Sequence, residues 1–379
     1  MNAIVGLATE VCPNPTERLR GILAEVAARA DLCEDEGAFP ATDVAVLDRI
    51  GLLRDFAPSL LGGHDFRDRS NFVETLFDCL RLIGRANLSL GRIFEGHVNA
   101  ILLIDRYGDA AMRSRLKIAL AGGKLFGVWN TEPSPGMALK SAGAAWRLAG
   151  SKSYATGAGH LDFAVITARL PDGGKQMLVM PVGKQRDRAD SGWWKVNGMR
   201  ATVSGTHDFT GLSVDPEEFL GDPGDYEREP MFTAGAWRFA AVQLGGIEAL
   251  VLRLRDYIVR GPAKDDPIHR ARFAHAVADA RTAFQWVREA ARRSETTIDR
   301  SASVPFVLMT RGVVEDAALR VIETVQRVVG TRAFFTDNPI DRRIRDLQLY
   351  LRQPAPDQAR DRAALAWLDE DMWEDDRWW

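Results

Sequence analysis

The hydrophobic pattern changes period twice along this chain, and that order constrains the fold more than any single motif. From about Thr16 to Ala121, apolar residues recur at helical spacing. Examples are Leu19, Ile22, Leu23 and Val26, then Val44, Val46, Leu47, Ile50 and Leu53, then Phe72, Leu76, Leu80, Leu82 and Ile83. In the last of these segments Ser70 and Glu74 stand at helix-start positions and Gly84 lies near the end. From Phe126 to about Gly221, short alternating or β-branched runs take over: WRLAGSKSYATG, FAVITAR, QMLVMPV and WWKVNGMRATVSGTHDFTGLSV. Turn signals at Pro171-Asp172-Gly173-Gly174 and Asn197-Gly198 separate them, which predicts a small antiparallel β domain. Gly221 to Pro230 has the Pro, Gly and Asp content of a linker. Helical periodicity then returns over Ala234 to Val259, Ile268 to Ser294, Val304 to Val329 and Arg342 to Arg352, which predicts a four-helix bundle. The expected class is α+β, with a helical domain over 1–123, a middle β domain over 124–225 and a C-terminal bundle over 226–379.

Composition narrows the function classes. A chain of 379 residues exceeds what one core usually holds, since single cores stop growing near ~250 residues. Its formal net charge of -3, with Arg interspersed among Asp and Glu, lacks the basic stripe of a nucleic-acid partner. No run of ~18 apolar residues is present, so no membrane-spanning helix is expected. The N-terminal stretch lacks the basic and apolar regions of a signal peptide. The three cysteines, Cys12, Cys33 and Cys79, have neither metal-ligand spacing nor an even count for disulfides. A cytoplasmic protein is expected. The acidic, tryptophan-rich end WLDEDMWEDDRWW either docks on its own protein or reaches a partner.

Three segments have the residues for chemistry. In GVWNTEPSPG, Gly127 to Gly136, two prolines and the glycines open the backbone where helix gives way to sheet. With Trp129, Thr131 and Gly136, this stretch is either a domain-crossing loop or a cradle of N–H groups for a heterocycle or phosphate. In KSYATG, Tyr154 and Thr156 stand two apart near the end of a strand, on one face, where one covers a flat ring and the other donates a hydrogen bond. In VQRVVGTRAF, Gln326 and Gly330 sit where a long helix stops, which also reads as capping.

Taken in order, these motifs resemble the acyl-CoA dehydrogenase family, from GHVNAILLIDRYG at Gly96 to Arg345-Asp346. Thr131-Glu132-Pro133 is similar to the family's TEP signature, and Gly150, Lys152, Tyr154 and Thr156 to its GxKxWIT strand, with Tyr in place of Trp. Gly198-Met199-Arg200 and Phe219-Leu220-Gly221 are similar to a later strand and turn. The resemblance implies FAD between the β domain and the bundle, with Tyr154 stacked on it and Thr131 and Thr156 at its polar edges. It further implies that Trp237 and Arg238 border the substrate, and that Arg260, Gln326 and Gly330 reach a partner subunit's FAD in a homodimer or homotetramer. The implied activity is oxidation of a CH–CH bond in an acyl thioester, with a small molecule such as an acyl-CoA as partner and a carboxylate removing the α proton.

Four positions depart from that pattern. The usual catalytic Glu position holds Pro354, and the alternative base position holds Trp237; neither side chain can accept a proton. The nearest carboxylates in sequence are Glu248 and Asp357, and Asp357 is the one candidate base. Met137 and Ala138 replace a Ser and an Asp, and Gly261-Pro262-Ala263 lacks the expected aromatic. Two alternatives therefore stand beside the dehydrogenase. One is a flavin-dependent monooxygenase on a non-CoA substrate, for which the polar run Thr202 to Asp208 is a candidate oxygen-site strand, or else a solvated edge. The other is a catalytically silent binding subunit. His97 and His207 are expected to be structural, and no metal site is expected.

Overall fold

A computed structural model describes residues 14–143, 145–296, 302–352 and 355–369, so Pro354, Cys12 and most of the tryptophan-rich tail lie outside the described residues. The first layer is helical: α1 Pro15–Arg20, α2 Leu23–Glu36, α3 Ala41–Arg49, α4 Leu52–Asp55, α5 Arg69–Ala86, α6 Leu88–Tyr107 and α7 Ala110–Ala121. Short polar side chains start several of these helices by accepting an otherwise open amide. Asn14 accepts from Thr16 N at 2.8 Å, Asp68 from Asn71 N at 2.7 Å, Asn87 from Leu90 N at 3.1 Å and Asp109 from Met112 N at 2.7 Å. Asp68, not Ser70, caps α5, because its carboxylate accepts where the first turn needs an oxygen.

Strands begin at Phe126: β1 Phe126–Trp129, β2 Ala138–Ala142, β3 Ala145–Ala149, β4 Ser151–Ala155, β5 Phe163–Arg169, β6 Lys175–Met180, β7 Ala189–Asp190, β8 Gly205–Asp208, β9 Ser213–Val214 and β10 Phe219–Leu220. One sheet has the order β10-β6-β5-β2-β3-β9 with β1 also on β5, and a second has β4-β8-β7. Most pairs are antiparallel, but β1 runs parallel to β5, with Phe126 opposite Phe163 and Trp129 opposite Ile166. The sheet is thus mixed: three strands lie between β1 and β5 in the chain, long enough for a crossover. In β5, Ala164 to Ala168 is buried on both faces, which is why that run is nearly unbroken in apolar character.

One part of the strand pattern folds otherwise. Residues 191–204 form 3-10 turns and loop, with left-handed φ at Met199 (54°) and Val203 (46°). The amides there bond to carboxylates of two other layers instead of to a neighbouring strand. A Cβ on Gly198 would lie 2.3 Å from the Arg345 carbonyl, so Asn197-Gly198 serves a close crossing with the last layer, not a hairpin.

That last layer holds α8 Met231–Ala234, α9 Trp237–Arg260, α10 Pro267–Thr296, α11 Ser303–Val329, α12 Pro339–Tyr350 and α13 Pro356–Asp369. Helices α9, α10 and α11 pack on one another, α12 lies on α9, and α13, which had no counterpart among the expected helices, lies on α11. Helix α5 packs along α9 and α10, with Glu74 bonded to Arg288 (2.9 Å) and Arg292 (2.6 Å). The α5–α9 crossing is close enough that a Cβ on Gly84 would meet Val242 O at 2.3 Å, and one on Gly245 would meet Arg81 O at 2.2 Å. No described helix is long and apolar enough to cross a membrane.

The three layers meet on two buried carboxyls. Glu34 of α2 accepts the amides of Arg200 and of Ala201, the latter at 3.0 Å, and the Ser89 hydroxyl at 3.3 Å. Asp346 of α12, fully buried, accepts Met199 N at 2.7 Å and Arg342 at 2.9 Å, and is hydrogen-bonded to Glu34. Burial and then the Glu34 charge push Asp346 up to about 7 against the pull of Arg342, so a proton is held between the two carboxyls.

Two outcomes follow. Asp346 binds its proton more tightly folded than unfolded, so its stabilisation is complete below the ordinary carboxylate range and is lost as pH rises through about 7. Denaturation of the wild type between pH 5 and pH 7 should lose on the order of 1.4 kcal/mol per pH unit that Asp346→Asn does not lose. Gly84→Ala should force α5 off α9 and cost roughly 1–3 kcal/mol in urea unfolding.

Candidate functional site

A bulge at the end of β4 arranges the exposed aromatic of the site. The β4–β8 register shifts between Lys152 and Ala155, and Tyr154 takes φ 51°, a left-handed value costly for a bulky residue. Alternation breaks there, so Tyr154 and Thr156 do not share one face as a regular strand would have it. Tyr154 is 55% exposed, while Thr156 points inward. The bulge is pinned to the TEP loop, because Ser153 N donates to Thr131 O at 3.0 Å. Next to it Lys152, fully buried, donates to Asn130 O (3.1 Å), Glu132 (2.7 Å) and Thr167 Oγ1 (3.2 Å). Burial lowers that ammonium to about 8 despite Glu132. Gly136, at φ 96°, passes within 3.0 Å of Glu132 Oε1 at its Cβ position, which a side chain would obstruct. Lys152 thereby holds Thr131 and Tyr154 side by side at one edge of the sheet.

Behind this edge runs a chain of hydroxyls. Thr156 Oγ1 bonds Ser204 Oγ at 3.1 Å, Ser204 bonds Thr202 Oγ1 at 2.8 Å, and Thr202 donates to Met199 O at 2.7 Å. Thr202 and Ser204 are buried, so this run is not a solvated edge strand. Trp129 is in the core, its indole N–H donating to Thr156 O at 2.9 Å. It supports the Thr156 backbone from beneath and does not face the exposed edge. Met137 is likewise a core residue. Trp193 and Trp194 surround Tyr154 edge-on, with ring centroids at 5.0 and 6.2 Å. The Trp-Trp pair is visible in the sequence, but as a strand it would have pointed its rings to opposite faces.

Arg92, Gly96, Gly127, Val128, Thr156 and Leu161 line a recess between α6, β1 and Thr156, with about 210 Å³ of free space, its mouth included. Its far wall is charged. Arg92 pairs with Glu95 one turn along α6, and Glu95 accepts from Asn99. Asn99 accepts from Arg238 Nε at 2.6 Å, and Arg238 reaches Glu295 at 2.9 Å. Glu295 also pairs with Arg69 and accepts the Trp237 indole N–H at 3.4 Å. Trp237 and Arg238 are thus brought to this recess, with Glu295 of α10 supplying the carboxylate that Trp237 lacks. Arg238 and then Arg69 hold Glu295 below its ordinary value against burial, which makes it a weak proton acceptor. Arg92, Glu95 and Glu295 escaped the motif reading. Their signal was an Arg and a Glu at i, i+3 inside an otherwise apolar helix.

Other expected residues lie elsewhere. Arg260 is exposed at the end of α9, and Gln326 and Gly330 end α11, where the Gly330 amide bonds to Gln326 O. Asp357 is exposed in the first turn of α13, and Glu248 is bound to Arg81 at 2.8 Å. His97 accepts Phe126 N at Nδ1 (3.0 Å) and bonds Leu53 O at 2.6 Å, and burial lowers it to about 4; it is a structural residue. His207, also buried and lowered to about 4, packs against Trp129 and Phe209. No cluster of metal-ligating residues occurs among the described residues.

The Lys152 junction has a direct test. Lys152→Met removes the cation from Glu132 and two further acceptors, and should cost roughly 3 kcal/mol in denaturant unfolding. Thr156→Val, which leaves that junction intact, should cost about 1 kcal/mol.

The geometry has counterparts among known proteins. Residues 240–351 match the acyl-CoA dehydrogenase C-terminal domain. Over 342 residues the chain is 26% identical to cyclohex-1-ene-1-carbonyl-CoA dehydrogenase of Geobacter metallireducens, covering 86% of this chain and 89% of the relative. Among solved structures, dibenzothiophene monooxygenase from Paenibacillus sp. A11-2 superposes with a TM-score of 0.82 at 19% identity, over 94% of this chain and 97% of that one. A glutaryl-coenzyme A dehydrogenase complex superposes with a TM-score of 0.82 at 20% identity, over 97% of each chain. By its C-terminal domain, and by a fold shared over nearly its whole length, the chain is an acyl-CoA dehydrogenase-like protein.

Proposed function

We propose that the protein is a flavin-dependent oxidoreductase that oxidises a CH–CH bond beside a carbonyl, as the cyclohexenecarbonyl-CoA dehydrogenase relative does by its name. The observation that carries this reading is the meeting of Thr131, Tyr154 and Thr156 at one sheet edge, beside the recess that Arg92, Trp237 and Arg238 close. These residues fit a flavin. Tyr154 offers an exposed ring, the Trp193 and Trp194 rings flank it, and Thr156 presents a hydroxyl already aligned by Ser204. The flavin would supply the two-electron acceptor; the protein binds and orients around it. Arg92 and Arg238 fix charge at the substrate end, and Leu161 and Val128 exclude water from the recess wall. FAD in place of FMN is proposed on Arg260, Gln326 and Gly330, whose exposed positions at helix ends suit contact with another subunit's cofactor in a homodimer or homotetramer.

One observation favours a second reading, a monooxygenase using reduced flavin and oxygen. The buried hydroxyl chain Thr156–Ser204–Thr202 lies behind the candidate flavin edge, Asp357 is on the surface, and Glu95 and Glu295 are both tied to guanidiniums. Such chemistry needs no carboxylate to take an α proton. A cytoplasmic setting is proposed with either reading.

Titration with FAD and FMN separates these possibilities. Flavin at a hundredfold excess over its Kd should add about 2.7 kcal/mol of stability, and Tyr154→Ala should weaken that binding. Failure of either flavin to raise the melting temperature would leave only a silent subunit. With flavin bound, anaerobic bleaching by a short acyl-CoA supports the dehydrogenase. Oxygen uptake that ends in an oxygenated product, with no bleaching by acyl-CoA, supports the monooxygenase.

A further inference from the structure

An apolar acyl tunnel is what a dehydrogenase of aliphatic thioesters requires, and the recess beside Thr156 does not end in one. Its wall carries Arg92, whose guanidinium lies over Gly96, 3.8 Å from that residue's Cβ position. Glu95 occupies one terminal nitrogen of Arg92, while the buried Nε has no partner among the described residues. The Tyr350 hydroxyl, on a side chain 1% exposed at the end of α12, is also buried without a partner. It stands close enough for the charges of Glu95 and Arg92 to act on it. Two donors therefore converge on one point with no acceptor. Buried donors left open are uncommon and costly, and a guanidinium beside a hydroxyl matches an anionic oxygen.

The charge balance points the same way. Arg69, Arg92 and Arg238 face only Glu95 and Glu295, so three cations against two anions leave one positive charge, and only Arg69 of the three is substantially exposed, at 45%. A long alkyl chain placed there would strip solvent from ionised groups and return nothing. With about 210 Å³ including its mouth, the recess is also below the ~300–1,000 Å³ of pockets that take drug-sized ligands.

We propose that Arg92 and the Tyr350 hydroxyl form an oxyanion subsite at the substrate end of the recess, so that the substrate is small and carries a compact anionic group such as a carboxylate. This rests on the reading of the recess as the substrate side of the flavin site. Its test does not need the flavin to bind.

The probes are benzoate and benzamide, equal in shape and different in charge, titrated by calorimetry at constant ionic strength into the full chain with and without flavin. Benzoate should bind and benzamide should not. Arg92→Met should weaken benzoate on the order of tenfold to hundredfold, and Tyr350→Phe, which removes one oxygen atom from a fully packed ring, by a smaller factor. Circular dichroism and melting of both variants report whether they fold; if Arg92→Met does not, Tyr350→Phe carries the test. Equal binding of benzamide and benzoate, or unchanged benzoate affinity in a folded variant, would overturn the subsite. Benzoate binding without flavin affinity would overturn the flavin reading alone, and flavin binding without benzoate discrimination would overturn the subsite alone.

Discussion

A proton held between Glu34 and Asp346 organises this protein. Neither carboxyl belongs to the β layer, yet together they accept three successive amides, those of Met199, Arg200 and Ala201, from a loop with no strand partner. Two buried carboxylates repel unless one is protonated, and each needs donors to offset its desolvation. Arg342 and the loop amides are those donors. The loop's left-handed turns at Met199 and Val203 persist because carboxyls of two helical layers hold them.

That junction is connected to the candidate site by a short path. The Met199 carbonyl receives Thr202, Thr202 bonds Ser204, and Ser204 bonds Thr156. The Trp194 indole also donates to Met199 O, at 3.0 Å, which sets the ring beside Tyr154. Placement of the hydroxyl and of the aromatic cluster thus depends on the same loop. A second support, Lys152 with Glu132, fixes the opposite side of the bulge. Rigid support from two directions is what a bound planar ring requires, because the cost of ordering its contacts is met during folding.

Much of the architecture was legible in the sequence because its signal is periodic. The long helices of the last layer and the α5 segment carry apolar stripes, and β5 an apolar run, whose burial dictates the elements. The 191–204 stretch misled because its β-branched and aromatic residues fit a strand equally well, and only distant carboxyls make a loop the better solution. Helix α13 was missed because its amphipathic pattern is weak and only Ala359 and Ala363 are buried on it.

The candidate site divides along the same line. The sequence alone determined Thr131, Tyr154 and Thr156 as the residues of interest, since their order and spacing are local, and it determined that Trp237 cannot take a proton. Tertiary structure decided where each side chain points. A one-residue bulge exposes Tyr154 and turns Thr156 inward, which no alternation rule contains. It also decided that the recess ends in charge, because Arg92, Glu95, Arg238 and Glu295 come from three helices far apart in the chain. Ion pairs of that kind depend on distance in space, and sequence separation carries no information about it.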